Sequence, residues 1–308
     1  CILSHPCGTE INHLMNKPTF LMNVGTAWSA TSPLHYTLSL DHKYAHTGAC
    51  KENFYLYNLQ ENRNIPYRRD KPNEKPSETV DKHDWEILWG VRSLDTYVKY
   101  YVSLWEHVKN DYKAVADFCN RNTALTDKSL GDIKEKVGEH FDIKITMIFR
   151  DPIRRLFSSL NHNPWVDNEE IAKLKDPIKC IRYCVQGNME ENVYYSEIYR
   201  KFCSVFGKDK VHMIVMEELW SDDSKVKDLS DFLDFPITKL HDNAYFPERG
   251  TKAFQYRFLR DQWGSDKVEM DQETYSYCLE HMDHVYSDFA KTFGRIPVTW
   301  GEFIPTPS

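Results

Sequence analysis

Apolar residues in this chain gather in short dense runs, separated by stretches in which they recur at helical spacing. "TFLMNV" (19–24) has the length of a buried strand, and "SPLHYTLSL" (32–40) after it reads as a helix. Pro33 suits its first turn, where the missing N–H would be unpaired in any case. "HKYAHTG" (42–48), "YKAVADF" (112–118), "FDIKITMIF" (141–149) and "VHMIVMEEL" (211–219) predict four further strands. "WEILWGVRSLDTYVKYYVSLW" (85–105) repeats apolar residues at helical period, with Trp85 and Trp89 on one core-facing side. Helices are also predicted over 190–206, 222–234 and 253–260, and "QETYSYCLEHMDHVYSDFAKTF" (272–293) is a long amphipathic one. Apolar strands alternating with helices predict an α/β fold, a parallel sheet flanked by helices on both faces.

One stretch breaks the alternation. From Gln60 to Asp84 the chain turns polar and carries three prolines, which predicts a solvated excursion from a single domain over residues 1–308, with a lid over a site as the alternative. The formal charge of −7 argues against nucleic acid or a polyanion as the main partner. No run approaches the roughly 20 apolar residues that span a bilayer, so no membrane span is expected. Eight cysteines are scattered without a CxxC pair, which removes the zinc-knuckle and thioredoxin signatures, and no metal is expected. Cys180 and Cys184, one helical turn apart, read as buried thiols. The absence of an N-x-S/T sequon leans towards a reducing compartment, and the cytoplasm is the expected one. The chain opens at Cys1 without a methionine; a signal or anchor trimmed from it would change that expectation to the Golgi lumen.

Two stretches carry candidate chemistry. "NVGTAWSATSPLH" (23–35) has the outline of a phosphate-gripping loop: a strand, Gly25, small hydroxyl residues, then a helix. Such loops usually hold a lysine, and Trp28 stands where it would be. Backbone N–H groups and the hydroxyls of Ser29, Thr31 and Ser32 can still grip a phosphate. The second stretch, "FRDPIRRLFSSL" (149–160), follows the 141–149 strand. It places Arg150 at a strand end, where open α/β sheets bind ligands, and Arg155 and Ser158 on the next helix. An arginine there offers a rigid fork for phosphate and a serine adds a donor; pairing with Asp151 or capping of a carbonyl is the plainer role. The five fixed positions of R-D-P-x-x-R-x-x-S arise by chance in about one chain in ten thousand of this length, so the pattern is specific.

With these residues in view the chain resembles the sulfotransferases that use PAPS (3′-phosphoadenosine 5′-phosphosulfate), whose sheet is P-loop-like. "RDPIRRLFSSL" is similar to their 3′-phosphate motif, which gives Arg150 and Ser158 the phosphate contacts. "VGTAWSATSPL" falls where that family has its 5′-phosphosulfate loop, G-x-x-K-x-G-T-T-x-L. Gly25, Thr31 and Leu34 match, Ser32 is conservative, Ala30 replaces a glycine and Trp28 the lysine; Thr26, Ala27 and Ser29 complete the cofactor-binding loop. "VFGKDKVHMIVMEELWSDDSKVKDLSDFLDFP" (205–236) resembles the family's late strand and helix. "KENFYL" (51–56) resembles the K-E-x-x-[FH]-F stretch of the carbohydrate, heparan-type branch. That resemblance makes Glu52 the general base, with His46 the runner-up because cytosolic members use a histidine. "PERGTKAF" (247–254) resembles the late R/K-G loop, and implies that Arg249, Gly250 and Lys252 fold over the 3′-phosphate and adenine. In "YKAVADFCNRN" Asp117 takes an acidic family position, while Phe118 stands where a second lysine would be.

The implied activity is transfer of a sulfuryl group from PAPS to a hydroxyl, without a metal. Lys51 is the residue best placed to replace the missing loop lysine as the cation at the leaving phosphate. The carbohydrate-like branch points to a glycan or small alcohol acceptor, and the 14% aromatic content fits stacking on rings. Two alternatives stand beside it. A P-loop kinase-like phosphotransferase lacks its G-x-x-x-x-G-K-[ST] here, and a catalytically altered nucleotide-binding protein would account for the lost lysine.

Overall fold

The computed structural model describes residues 17–48, 51, 54–61, 93–162, 174, 176–186, 194–241 and 270–301. Five parallel strands form one sheet: β1 (Thr19–Asn23), β2 (Ala45–His46), β3 (Ala114–Phe118), β4 (Asp142–Phe149) and β5 (Val211–Val215), in the order β2-β3-β1-β4-β5. Register is in step across the centre, with Phe20 beside both Val115 and Ile143. Because successive side chains point to opposite faces, the longer strands feed two cores. Phe20, Met22, Val115, Ile145, Met147 and Phe149 enter one, and Leu21, Ala114, Ala116, Phe118 and Ile148 enter the other. Both faces are therefore covered, as the continuous apolar runs predict.

The smaller core holds α1 (Thr31–Tyr36) through Leu34. α2 (Tyr55–Gln60), α3 (Leu94–Val108), α4 (Asp127–Gly138), α5 (Pro152–His162), α6 (Pro177–Val185) and α7 (Tyr195–Phe206) supply the larger core. After β5 come a single turn, α8 (Met216–Leu219), and then α9 (Asp223–Leu233), which packs Leu229 and Leu233 into the smaller core. The long α10 (Gln272–Phe293) closes the larger one through Tyr275, Met282, Val285 and Phe289.

Several predicted elements change length, each for a local reason. The strand expected over 42–48 shrinks to Ala45–His46, because Lys43 adopts a left-handed backbone (φ 49°) and only these two residues pair with β3. The 211–219 strand ends at Val215, which pairs with the last residue of β4; beyond it the chain has no neighbour and coils into α8. The helix expected over 32–40 becomes α1 followed by a π-helical turn over Thr37–Asp41. There Thr37 Oγ1 donates to the Pro33 carbonyl and accepts from His241 N. α3 begins at Leu94, with Ser93 and Thr96 forming a reciprocal capping box. Trp85 and Trp89, the stretch 62–84 and the 253–260 helix lie outside the described residues. Cys180 and Cys184 are buried on α6 as thiols.

Candidate active site

β1 and β4 are neighbours, yet the chain leaves them towards opposite faces: α1 joins the smaller core, and α5 the larger one through Ile153, Leu156 and Leu160. The carboxyl edge of β1 and β4 is therefore the sheet's switch point, where open α/β sheets bind ligands. The loop after β1 stays attached to β4 for three residues, with Val24 N donating to Thr146 O (2.8 Å) and Thr26 N to Ile148 O (3.3 Å). Gly25 lies in this seam. A methyl there would collide with the Thr31 methyl and stand 2.7 Å from that of Ile148, so only glycine lets the loop turn this close.

Past Gly25 the loop folds on itself. Thr26 Oγ1 and Ser29 Oγ are hydrogen-bonded at 2.7 Å and both side chains are buried. Those hydroxyls brace the loop from inside, so the donor role expected of Ser29 is left to its backbone N–H. Trp28 (φ 68°) and Ala30 (φ 58°) are left-handed, the conformation that costs an L-residue about 1–2 kcal/mol. Such alternation turns successive N–H groups towards one concavity, the geometry of an anion nest. Ala27 and Trp28 are half-buried, and Thr31 and Ser32 open the helix.

Two cations reach this loop from distant parts of the chain. Lys51 Nζ donates to Thr31 Oγ1 and Ser32 Oγ, each at 2.9 Å. Arg150 Nη1 donates to the Trp28 carbonyl at 3.1 Å. The arginine thus caps a carbonyl, the plainer of its two expected roles, while standing at the loop. Burial pulls its pKa below the ordinary arginine value and the Glu217 and Asp151 carboxylates push it back, so the guanidinium remains charged. Ser158 lies two turns into α5 and is partly exposed, whereas Arg155 is buried against Tyr195.

Other features were not readable from sequence. His35, on α1, has Nε2 at 3.0 Å from Thr47 Oγ1 and an Nδ1 shut off from solvent without a partner. Burial, then Lys51 and His46, pull its pKa down to about 3, so it stays neutral. His46, the alternative base, accepts from Gly48 N at Nδ1 and sets its ring edge-on to Tyr112. Asp117 accepts from the Tyr97 hydroxyl at 2.5 Å inside the core. Asp151, Glu217, Tyr195, Tyr275 and Tyr286 converge behind Arg150, although no motif marks the three tyrosines. Glu52, Arg249, Gly250 and Lys252 lie outside the described residues. Among the described residues, no cluster of three histidine, cysteine or acidic side chains could hold a metal, and no helix is long and apolar enough to cross a membrane.

No protein-family model matches the chain, and no curated protein sequence does. Solved structures do. The sulfotransferase from Alicyclobacillus acidocaldarius superposes with a TM-score of 0.52 at 18% identity, covering 93% of this chain and 99% of its own. The sulfotransferase domain of the Synechococcus PCC 7002 olefin synthase gives 0.44 at 12% identity, covering 86% and 94%. A Mycobacterium avium sulfotransferase gives 0.42 at 13%, covering 92% and 78%. At such identities the first of these likenesses speaks for architecture: the chain has the sulfotransferase α/β fold, a P-loop-like parallel sheet flanked by helices on both faces.

Proposed function

We propose that the chain transfers a sulfuryl group from PAPS to a hydroxyl of a glycan or small alcohol. One observation carries this reading: Lys51, the 25–32 loop and Arg150, far apart in sequence, meet at the carboxyl edge of β1 and β4. A nest of backbone N–H groups flanked by two fixed cations suits a ligand with phosphate at both ends. PAPS, when bound, supplies the sulfuryl group. Residues Gly25 to Ser32 would hold its 5′ end, and Arg150 and Ser158 its 3′-phosphate, with Arg249, Gly250 and Lys252 closing over it as the resemblance implies. Lys51 already donates to the two hydroxyls that open α1, which supports its role as the cation offsetting charge at the leaving phosphate. Glu52, its neighbour, takes the proton from the acceptor hydroxyl.

Incubation with sulfur-labelled PAPS and a panel of glycans and alcohols should move label to an acceptor. Calorimetry should show preference for adenosine 3′,5′-bisphosphate over AMP, and Arg150→Ala should weaken bisphosphate binding by roughly 2–5 kcal/mol. Equal affinity for the two nucleotides overturns the reading; preference without transfer to any acceptor leaves a nucleotide-binding protein. Glu52→Gln should keep nucleotide affinity and lose on the order of 10²–10⁴ in turnover. If His46→Ala shows that loss and Glu52→Gln does not, the base is His46.

A further inference from the structure

The peptide that carries Arg150 is held from behind by side chains far along the chain. Tyr195 donates its hydroxyl to the Arg150 carbonyl at 2.8 Å, and Glu217 Oε1 accepts from the Asp151 N–H at 3.0 Å. Both polar groups of the Arg150–Asp151 peptide are thereby bound. Glu217 is itself fixed by Trp300, whose Nε1 donates to Oε2 at 3.0 Å, and Tyr195 stacks on Phe149 with ring centroids 4.4 Å apart.

Asp151 is fully buried and divides its oxygens between two tasks. Oδ1 caps α5 by accepting from Arg154 N at 2.9 Å. Oδ2 accepts from the Tyr275 hydroxyl at 3.0 Å, the Tyr286 hydroxyl at 3.2 Å and Gly301 N at 3.4 Å. Burial, and then Asp151, raise the pKa of both tyrosines, so each remains a donor. Two hydroxyls from α10 directed at one carboxylate oxygen exceed what capping a helix requires.

We propose that Tyr275 and Tyr286 are positioning residues for Arg150: by gripping Asp151 they fix the direction in which the neighbouring guanidinium meets a 3′-phosphate. The proposal rests on the reading of Arg150 given above. A cation whose orientation is set before binding loses less freedom when an anion arrives, so loosening its support should weaken recognition of that anion selectively. A tyrosine pair that merely stabilises the core would lower the melting temperature and leave selectivity alone.

The test compares affinities for adenosine 3′,5′-bisphosphate and AMP by calorimetry in wild type, in the double variant Tyr275→Phe/Tyr286→Phe and in Tyr44→Phe. Tyr44 is buried in the other core and donates to the Leu233 carbonyl, so its variant controls for loss of a buried hydroxyl. The double variant should lose about tenfold of the bisphosphate-to-AMP preference, with AMP affinity unchanged. Tyr44→Phe should keep the wild-type preference. A double variant that melts earlier yet keeps the wild-type preference overturns the inference alone. A wild type without preference overturns the reading of Arg150, and the inference with it. Should the double variant not fold, Tyr286→Phe leaves Tyr275 and Gly301 on Asp151 and should show a smaller loss in the same ratio; an unchanged ratio there also overturns the inference.

Discussion

Trp28 has a left-handed backbone and an indole that offers one neutral donor in place of the cation expected there. Lys51, which follows β2 in the chain, reaches the same loop with its ammonium on Thr31 and Ser32. If it offsets charge that develops only during transfer, Lys51→Ala should lower turnover by about 10²–10³ at saturating PAPS while nucleotide affinity changes little. Trp28→Lys, assayed beside it, keeps or raises turnover if the indole is a spacer and lowers it if the indole shapes the site. His35 beside them carries a pH dependence. The folded chain keeps it neutral down to about pH 3, whereas the unfolded chain protonates it near 6.5. The unfolded state therefore binds more protons between those values, and stability falls as pH drops below 6.5. Urea unfolding should show His35→Gln losing less stability than wild type between about pH 7 and about pH 5.

At the scale of elements, helix caps and strand neighbours mark where elements start and stop. α3 begins where Ser93 accepts from Thr96 N at 3.2 Å and Thr96 Oγ1 accepts from Ser93 N at 2.9 Å. Removing that box with Ser93→Ala should cost about 1 kcal/mol, measured as a lower urea midpoint with an unchanged slope. α4 is capped by Thr126 and α10 by Asp271, each through its side chain. Such hydroxyl and carboxylate signals stand in the sequence. The early stop of β5 does not, because it depends on where β4 ends. α8 makes use of that stop by presenting Glu217 to the Asp151 N–H and Glu218 to Arg295.

Across the whole molecule, the candidate site lies where the chain leaves β1 and β4 in opposite directions, and Gly25 is where their elements press together. Gly25→Ala should destabilise by roughly 1–3 kcal/mol and weaken nucleotide binding, since the methyl meets both α1 and β4. Gly131, exposed on α4 with nothing near its missing methyl, makes the contrast: Gly131→Ala should raise the urea midpoint by up to about 1 kcal/mol of stability and leave binding alone. α10 belongs to the same picture, since a helix begun more than a hundred residues after Arg150 holds the turn on which that arginine sits.

The short apolar runs and the period of the helices determined the layered α/β fold, because burial on two faces demands continuous apolar strands. The places of Gly25 in a close turn and of Arg150 at the end of β4 were legible for a similar reason. A seam this tight admits only glycine, and the apolar run of the strand ends before the arginine. Local sequence could not reveal that Ser29 turns inward to Thr26, that Lys51 lands on Thr31 and Ser32, or that Asp151 is gripped by Tyr275 and Tyr286. Those contacts join residues that come together only after strand order and crossover side are chosen. Strand and helix follow from periodicity along the chain, whereas the partners of a buried polar atom depend on which elements the packed sheet brings within hydrogen-bond reach.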